Sequence, residues 1–287
     1  MKQPNRKIRH LEEFIVKVFM ILSLVVIVVC TSYILFTILY KGLPSLNLAM
    51  ITQTPKGGYY LGKEGGILNA ILGSIYLAGG GTLAALVPGI PLALFLHSYR
   101  QHSSWARLVQ LSLDTLCGIP SIVYGAFGFA IMVALGLRAS LLAGIITLAF
   151  LELPILTRAI YEVIRMVPEE LEHASLGLGA TIFETKIQIV IRQILPGLIT
   201  ALQLAFGRAI GDAASVLFTA GYTDRIPVSL FQPVASLPLA VFFQMNTPFP
   251  EVQQRAYASA LLLTIIVFVI SLGSRLLSAR LSRNIIK

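Results

Sequence analysis

The stretch Leu202-Gln-Leu-Ala-Phe-Gly-Arg-Ala-Ile-Gly-Asp-Ala-Ala-Ser-Val-Leu-Phe218 carries two charges inside a run that is otherwise typical of a membrane-buried segment. Arg208 and Asp212 are four residues apart, which predicts that they share one face of a helix. A charge at the bilayer centre costs about 2.5–3.5 kcal/mol on insertion scales. The pair is therefore either an internal ion pair that fixes helix packing or part of a polar path for a charged solute. The second reading is favoured, because intramembrane charges usually mark such paths.

The composition around this stretch indicates a polytopic membrane protein. Of the 287 residues, 56% are hydrophobic and only 12% are charged, whereas soluble domains carry about 25% charged residues. The mean hydropathy is +0.82. The two cysteines, Cys30 and Cys117, both lie in apolar runs, so we expect neither a disulfide nor a metal site.

Six segments are apolar and long enough to span a bilayer, which requires about 20 residues. They are approximately 18–40, 67–97, 108–135, 141–160, 194–218 and 258–277. The first is too long for a signal-peptide core and is interpreted as a retained span. The expected organisation is a cytoplasmic segment 1–17, a first helix 18–40, an extracytoplasmic loop 41–66, a core domain 67–277 and a cytoplasmic tail 278–287.

The basic residues are distributed unevenly between the two sides of these spans. Of the 22 Lys and Arg residues, fifteen fall on the side of the N-terminus and six on the other, and Arg208 remains in the membrane. Positive loops face the cytoplasm, so both termini are expected there. The net charge of +9 then faces anionic lipid and gives no indication of nucleic-acid binding.

The inner loop 161–192 has the features of a short helix. Pro168 suits the first turn and the acidic residues after it suit the positive end of the helix dipole. One face would carry the positions Leu171, Ala174, Ser175 and Leu178. Two roles remain open: a helix on the membrane surface, or a helix that inserts into a groove of a cytoplasmic partner, which is favoured.

No segment predicts catalysis or cofactor binding. Residues 57–63 match the first seven positions of a phosphate-binding loop, but Glu64 stands where a Ser or Thr should bind magnesium. We therefore expect no nucleotide site, no enzyme activity and no cofactor in this chain. Asp114 and Glu152 lie near or within the third and fourth spans, and are interpreted as packing or boundary carboxylates in preference to pathway residues.

The glycines beside Arg208 predict a groove in which its guanidinium could meet an anion. Gly207 and Gly211 are spaced as in membrane helices that approach closely. An arginine in such a groove offers a planar fork of donors suited to phosphate-like anions. Asp212 would hold that fork in place and prevent the anion from binding too tightly.

Four stretches resemble one family, the PstA-type permeases of binding-protein-dependent phosphate ABC importers, which have a MetI-like permease domain. The most specific is Asp114-Thr-Leu-Cys-Gly-Ile-Pro-Ser-Ile-Val-Tyr-Gly-Ala-Phe-Gly128, and the whole resemblance covers residues 41–277. The other stretches are 65–74, 153–158 with 167–181, and 206–221.

The resemblance implies an all-α fold of six transmembrane helices, the type I ABC importer permease fold, with a cytoplasmic coupling helix in a bacterial inner membrane. It implies phosphate import by alternating access together with a PstC-type permease, two PstB-type ATPase subunits that hydrolyse ATP, and a PstS-type phosphate-binding protein. The substrate pathway would include Arg208, Asp212, Arg158 and Glu162, with the last two meeting on one helix face.

The coupling loop departs from the pattern of this superfamily. The usual Glu-Ala-Ala, three residues and Gly become His173, Ala174, Ser175 and Gly179. This substitution alters the surface expected to contact the ATPase but leaves the expected fold unchanged. The family also usually has Glu where this chain has Asp212, which preserves the charge.

Other functions remain open at this stage. The nearest is a permease for another oxyanion, such as sulfate, molybdate or phosphonate, because substrate choice rests mostly with the binding protein. A different class, an autonomous channel or secondary transporter, would require inverted repeats or more intramembrane acids. A membrane enzyme lacks a catalytic constellation, and a scaffold without transport is the residual alternative.

Overall fold

The computed structural model describes residues 6–56, 64–99 and 103–281, and these are almost entirely helical. The helices are α1 (Arg6–Gly42), α2 (Leu48–Thr52), α3 (Leu68–Tyr99), α4 (Ser104–Cys117), α5 (Ser121–Ala134), α6 (Leu141–Ile164), α7 (Glu169–Gly177), α8 (Ile182–Glu184), α9 (Ile191–Gly211), α10 (Leu237–Met245) and α11 (Pro250–Leu281). A π-helical segment, Thr185–Val190, joins α8 to α9.

Five helical runs in the described residues are long and apolar enough to cross a membrane. They are Glu12–Ser45, Leu68–Ser98, Leu141–Ile164, Ile182–Gly211 and Pro250–Leu281. A sixth crossing exists if α4 and α5 are counted as one broken span. The six-span architecture predicted from the sequence thus has five continuous members and one broken member.

The predicted span over residues 108–135 is divided into two helices. α4 and α5 meet at an angle of 104°, and we call this bend, together with the start of α5, the elbow (residues 117–125). Pro120 disfavours helical geometry at the residue before it and has no N–H to donate. Tyr124 Oη donates to the carbonyl oxygen of Leu116 at 2.9 Å, which links the two arms across the bend.

The core of the bundle is the pair α3 and α6, which make the most extensive helix contact in the described chain. α6 contributes the fully buried side chains Leu148, Leu151, Leu156 and Ile160. Glycine allows the close approach: a β-carbon at Gly81 would lie 2.8 Å from the β-carbon of Leu148. α9 packs against both helices and completes this core.

The first span is peripheral. None of the most apolar window of α1 is buried within the chain, and its main helix contact is with α11. Lys41 lies 4.9 Å from the ring centre of Tyr257 at the end of this contact. A helix with apolar residues on all sides and little burial is suited to lipid contact.

The segment between α1 and α3, predicted from the sequence to be extracytoplasmic, contains a two-stranded hairpin. β1 (Pro55–Lys56) pairs antiparallel with β2 (Glu64–Gly65), and Gly65 adopts a positive φ of 82° that favours glycine. The sequence 57–63, which imitates part of a phosphate-binding loop, lies outside the described residues.

α10 is a short buried helix that the sequence analysis missed. Ser236 caps it by accepting a hydrogen bond from the backbone N–H of Leu239 at 3.4 Å, and a proline lies in its first turn. Leu237, Leu239 and Ala240 have no exposed surface. The segment between α9 and α11 therefore belongs to the packed core and is more than a connecting loop.

Candidate functional site

The last turn of α9 carries Arg208, but Asp212 lies beyond the end of the helix. α9 ends at Gly211, and Asp212 has extended backbone angles of φ −82° and ψ 120°. The prediction of one helical face for Arg208 and Asp212 was therefore wrong. Among the described residues no ion pair within 4 Å joins the two side chains.

Asp212 serves the turn that follows it. Its Oδ1 accepts hydrogen bonds from the backbone N–H groups of Ala214 at 2.9 Å and Ser215 at 3.2 Å. Short side chains such as Asp satisfy the free N–H groups at the start of a turn, and this local bonding competes with continuation of a helix. This preference explains why α9 stops before the predicted boundary at residue 218.

Arg208 is exposed in the single chain, and within the described part it has neither an ion pair nor a side-chain hydrogen bond. Its charge acts on Cys117 and Tyr124 of the elbow and on Glu152 of α6. At Gly211, on the last turn of α9, no described atom beyond the glycine's chain neighbours and its own helix backbone lies within 4 Å of the position that a β-carbon would occupy. The arginine is thus presented beside open space and close to the elbow.

The elbow is packed closely against the turn after α9. A β-carbon on Gly125 would lie 2.8 Å from the carbonyl oxygens of both Ala214 and Ser215. Two stretches that the sequence analysis selected separately, 114–128 and 206–221, therefore meet in space. Backbone contact, and not an ion pair, sets the position of this end of α9.

Glu152 lies midway along α6 and has no exposed surface. Neither of its carboxylate oxygens has a hydrogen-bond partner among the described residues. Its position at the middle of the span excludes the interpretation as a boundary carboxylate and leaves a packing or pathway role.

Arg158 and Glu162 do not form the pair expected from their spacing. Arg158 forms an ion pair with Asp114 of α4, and both side chains are about half exposed. Glu162 instead contacts Arg165 at 3.2 Å. The expected pairing was wrong because Arg158 pairs with a carboxylate on a neighbouring helix and Glu162 pairs with an arginine in the next turn.

The predicted short helix of the inner loop is present as α7, preceded by Pro168. His173 and Ala174 are exposed on it and Ser175 is half-buried. Gly179 follows with a φ of 90°, a conformation that favours glycine over other residues. The apolar face is only partly covered, because Leu178 is 90% exposed and no residue of α7 is buried.

Three charged or polar side chains hold α7 to two spans, and we call them the polar joint: His97, Glu172 and Lys186. Lys186 Nζ donates to Glu172 Oε2 at 2.7 Å and to His97 Nδ1 at 3.1 Å. The sequence analysis did not identify this cluster. His97 is 89 positions from Lys186, so no local spacing indicates it.

The fold and these two sites define a class: a multi-pass membrane protein of the permease type, with an exposed helix between two of its spans. Solved structures support this class. The membrane subunit of the MetNI methionine ABC transporter aligns with a TM-score of 0.62 at 18% identity, covering 75% of this chain and 95% of that one. A bacterial alginate ABC transporter aligns at 0.56 and 14% identity over 94% and 99%. These likenesses establish the type I ABC importer permease fold.

The chain belongs to the family of binding-protein-dependent transport system inner membrane components, whose model matches residues 89–287. Among its relatives, the phosphate transport system permease protein PstA of Haemophilus influenzae is 32% identical over 85% of this chain and 86% of its own. PstA of Xylella fastidiosa strain 9a5c is 35% identical over 85% and 84%. PstA 1 of Mycobacterium tuberculosis strain CDC 1551 / Oshkosh is 29% identical over 94% and 89%.

Proposed function

We propose that this chain is the transmembrane permease subunit of an ATP-driven importer of inorganic phosphate and forms half of the translocation path by alternating access. The observation that carries the proposal is Arg208, a guanidinium without a counter-ion in the described chain, beside open space at the end of a span. Similarity to phosphate permeases over most of the chain supports the choice of phosphate.

Arg208 is the residue proposed to contact the substrate. A guanidinium donates two parallel hydrogen bonds to a phosphate, and its charge offsets the cost of moving an anion through a low-dielectric path. No carboxylate of the described residues forms an ion pair with it within 4 Å, which leaves those donors available. Asp212 supports the site indirectly, by fixing the turn that ends α9.

Arg158 and Glu162 are proposed to line the same path near its cytoplasmic end. Arg158 becomes available to the anion only when its contact with Asp114 opens. Asp114→Asn frees this arginine and should change the concentration of phosphate needed for half-maximal uptake. The control is Glu12→Gln, which removes an exposed carboxylate from α1 and should leave uptake unchanged. An unchanged uptake curve for Asp114→Asn would limit Arg158 to a structural contact.

The exposed cytoplasmic surface around α7 is proposed as the docking site for the ATPase. The helical run Ile182–Gly211 has 30 residues, about 45 Å at 1.5 Å per residue, so it extends beyond a hydrocarbon core of about 30 Å. Exposed apolar side chains surround α7 there, namely Met166, Leu178, Ile182 and Phe183. Burial of such a patch against a partner is favourable.

The remaining components of the proposed importer are separate chains. They are a PstC-type permease that completes the path, two PstB-type subunits that bind and hydrolyse ATP, and a PstS-type protein that delivers phosphate. This chain itself would hold no nucleotide or cofactor, and both of its termini would be cytoplasmic, as the distribution of Lys and Arg predicts.

Reconstitution in liposomes tests the proposal. The chain with its partner permease, ATPase and binding protein should accumulate labelled phosphate only when ATP is supplied on the ATPase side. Excess sulfate, molybdate or phosphonate should not compete. Competition by one of these anions would reassign the substrate, and uptake by this chain alone without ATP would replace the importer by a channel or secondary transporter.

A further inference from the structure

The polar joint connects three elements that are far apart in the sequence. His97 lies near the end of α3, Glu172 lies on α7, and Lys186 lies in the π-helical segment before α9. Lys186 is only 9% exposed. A second contact joins α7 to the π-helical segment, because Ser175 Oγ lies 2.9 Å from Thr185 Oγ1. α7 is therefore tied to residues 185–186 at two points.

The hydrogen-bond chemistry at Lys186 requires both partners. A lysine ammonium only donates, so His97 Nδ1 accepts and the other ring nitrogen carries the proton. A buried ammonium is tolerated when it is paired and becomes costly when one partner is removed. Glu172 and His97 therefore hold Lys186 in place, and Lys186 in turn holds α7 against the end of α3.

α7 has little else to attach it. None of its residues is buried, and its principal packing partner is the π-helical segment. The exposed residues of α7 are available to a partner protein. Force applied to α7 must therefore pass into the membrane through the polar joint and the two chain connections of the helix.

The joint reaches the proposed substrate site through one continuous element. Lys186 and Arg208 belong to the same helical run, Ile182–Gly211, and are 22 positions apart, about 33 Å along a helix. The π-helical turn lies at the base of this run, and such turns occur frequently at functional sites. Through His97, the joint also contacts the core helix α3.

We propose that His97, Glu172 and Lys186 are positioning residues that transmit the displacement of α7 to α3 and α9 together, so that ATP hydrolysis drives movement of the substrate path. This inference rests on the proposed function and adds the residues through which the energy is delivered. The three residues contact neither phosphate nor nucleotide. Their loss should separate hydrolysis from transport without preventing assembly.

The test compares variants in the reconstituted importer, with phosphate uptake and ATP hydrolysis measured in the same vesicles. Lys186→Met retains the length of the side chain and removes its charge. We expect the number of phosphate ions transported per ATP hydrolysed to fall at least tenfold. The ATPase should still co-purify with the permease. The matched control is the same substitution at an exposed lysine of the peripheral helix α1, Lys17→Met, which should keep the wild-type ratio.

A charge exchange separates transmission from folding. Glu172→Lys with Lys186→Glu restores an opposite pair, and it should recover at least half of the lost ratio, whereas Glu172→Lys alone should not. Equal loss of uptake, hydrolysis and co-purification in Lys186→Met, or an unchanged ratio, would overturn the role of the joint. Absence of phosphate uptake in the wild-type importer would instead overturn the proposed function.

Discussion

The two charged regions of this chain are built in opposite ways. In the polar joint, the buried ammonium of Lys186 has both a carboxylate and an imidazole within 3.1 Å. At the end of α9, Arg208 has no such partner in the described chain, although the closely packed glycine of the elbow sets the position of the backbone. Paired charges stabilise a contact, whereas an unpaired guanidinium remains available to an incoming anion.

This contrast predicts the largest effect at Arg208. Arg208→Gln should lower phosphate uptake at least ~30-fold, because loss of a contact between a charged donor and a desolvated anion costs about 2–5 kcal/mol. The uptake of Arg208→Lys should lie between those of Arg208→Gln and wild type, because lysine keeps the charge and loses the planar fork of donors. Uptake by the reconstituted importer measures both variants.

Assembly must be intact for this comparison to hold. Arg208→Gln should co-purify with the partner permease and ATPase at the wild-type ratio. Arg138→Gln, which removes an exposed cation from a loop, is the matched control and should transport normally. Wild-type uptake by Arg208→Gln would show that this charge has only a packing role.

The second prediction concerns the backbone packing that replaces ion pairing at the end of α9. Gly125→Val should destabilise the chain by about 1–3 kcal/mol, because its β-carbon would approach two carbonyl oxygens at 2.8 Å. The thermal midpoint of the purified importer measures the change. Gly273→Ala, with no atom within 4 Å of the new carbon, should not lower it. Equal thermal midpoints for Gly125→Val and Gly273→Ala would mean that the elbow can move away from the turn after α9 and accommodate the new side chain.

The smallest effect is expected at Asp212 and depends on the replacement. Asp212→Asn keeps an oxygen that can accept from the N–H groups of Ala214 and Ser215, so uptake should stay within about twofold of wild type. Asp212→Ala removes the cap and should cost about 1 kcal/mol, seen as a lower thermal midpoint. A severe loss of uptake in Asp212→Asn would instead assign a role to the negative charge itself.

The sequence predicts the spans well because apolar length is a property of each segment alone. The family resemblance and the short helix α7 were likewise accessible from the sequence. The bend at Pro120 and the end of α9 at Gly211 were missed, because apolar composition continues through both. Proline and aspartate at these positions were the available local signals.

Contacts between distant residues could not be predicted from spacing. The Arg158–Asp114 pair and the Lys186–His97 contact join helices that are separated by tens of residues. Helical periodicity proposes partners three or four positions away, and it therefore suggested Glu162 for Arg158 and Asp212 for Arg208. The folded bundle offers Arg158 a partner on another helix and leaves Arg208 without one in the described chain.

Thiol labelling beside Arg208 in the assembled importer tests the central claim most directly. In a background with Cys30→Ser and Cys117→Ser, which removes both free cysteines, a cysteine is placed at the open position by Gly211→Cys. A charged, membrane-impermeant reagent should label this cysteine rapidly in at least one nucleotide state, and phosphate delivered by the binding protein should slow the labelling. Val269→Cys, on the exposed face of α11, is the lipid-facing control. Labelling of Gly211→Cys as slow as this control in every nucleotide state would contradict a water-filled path beside Arg208.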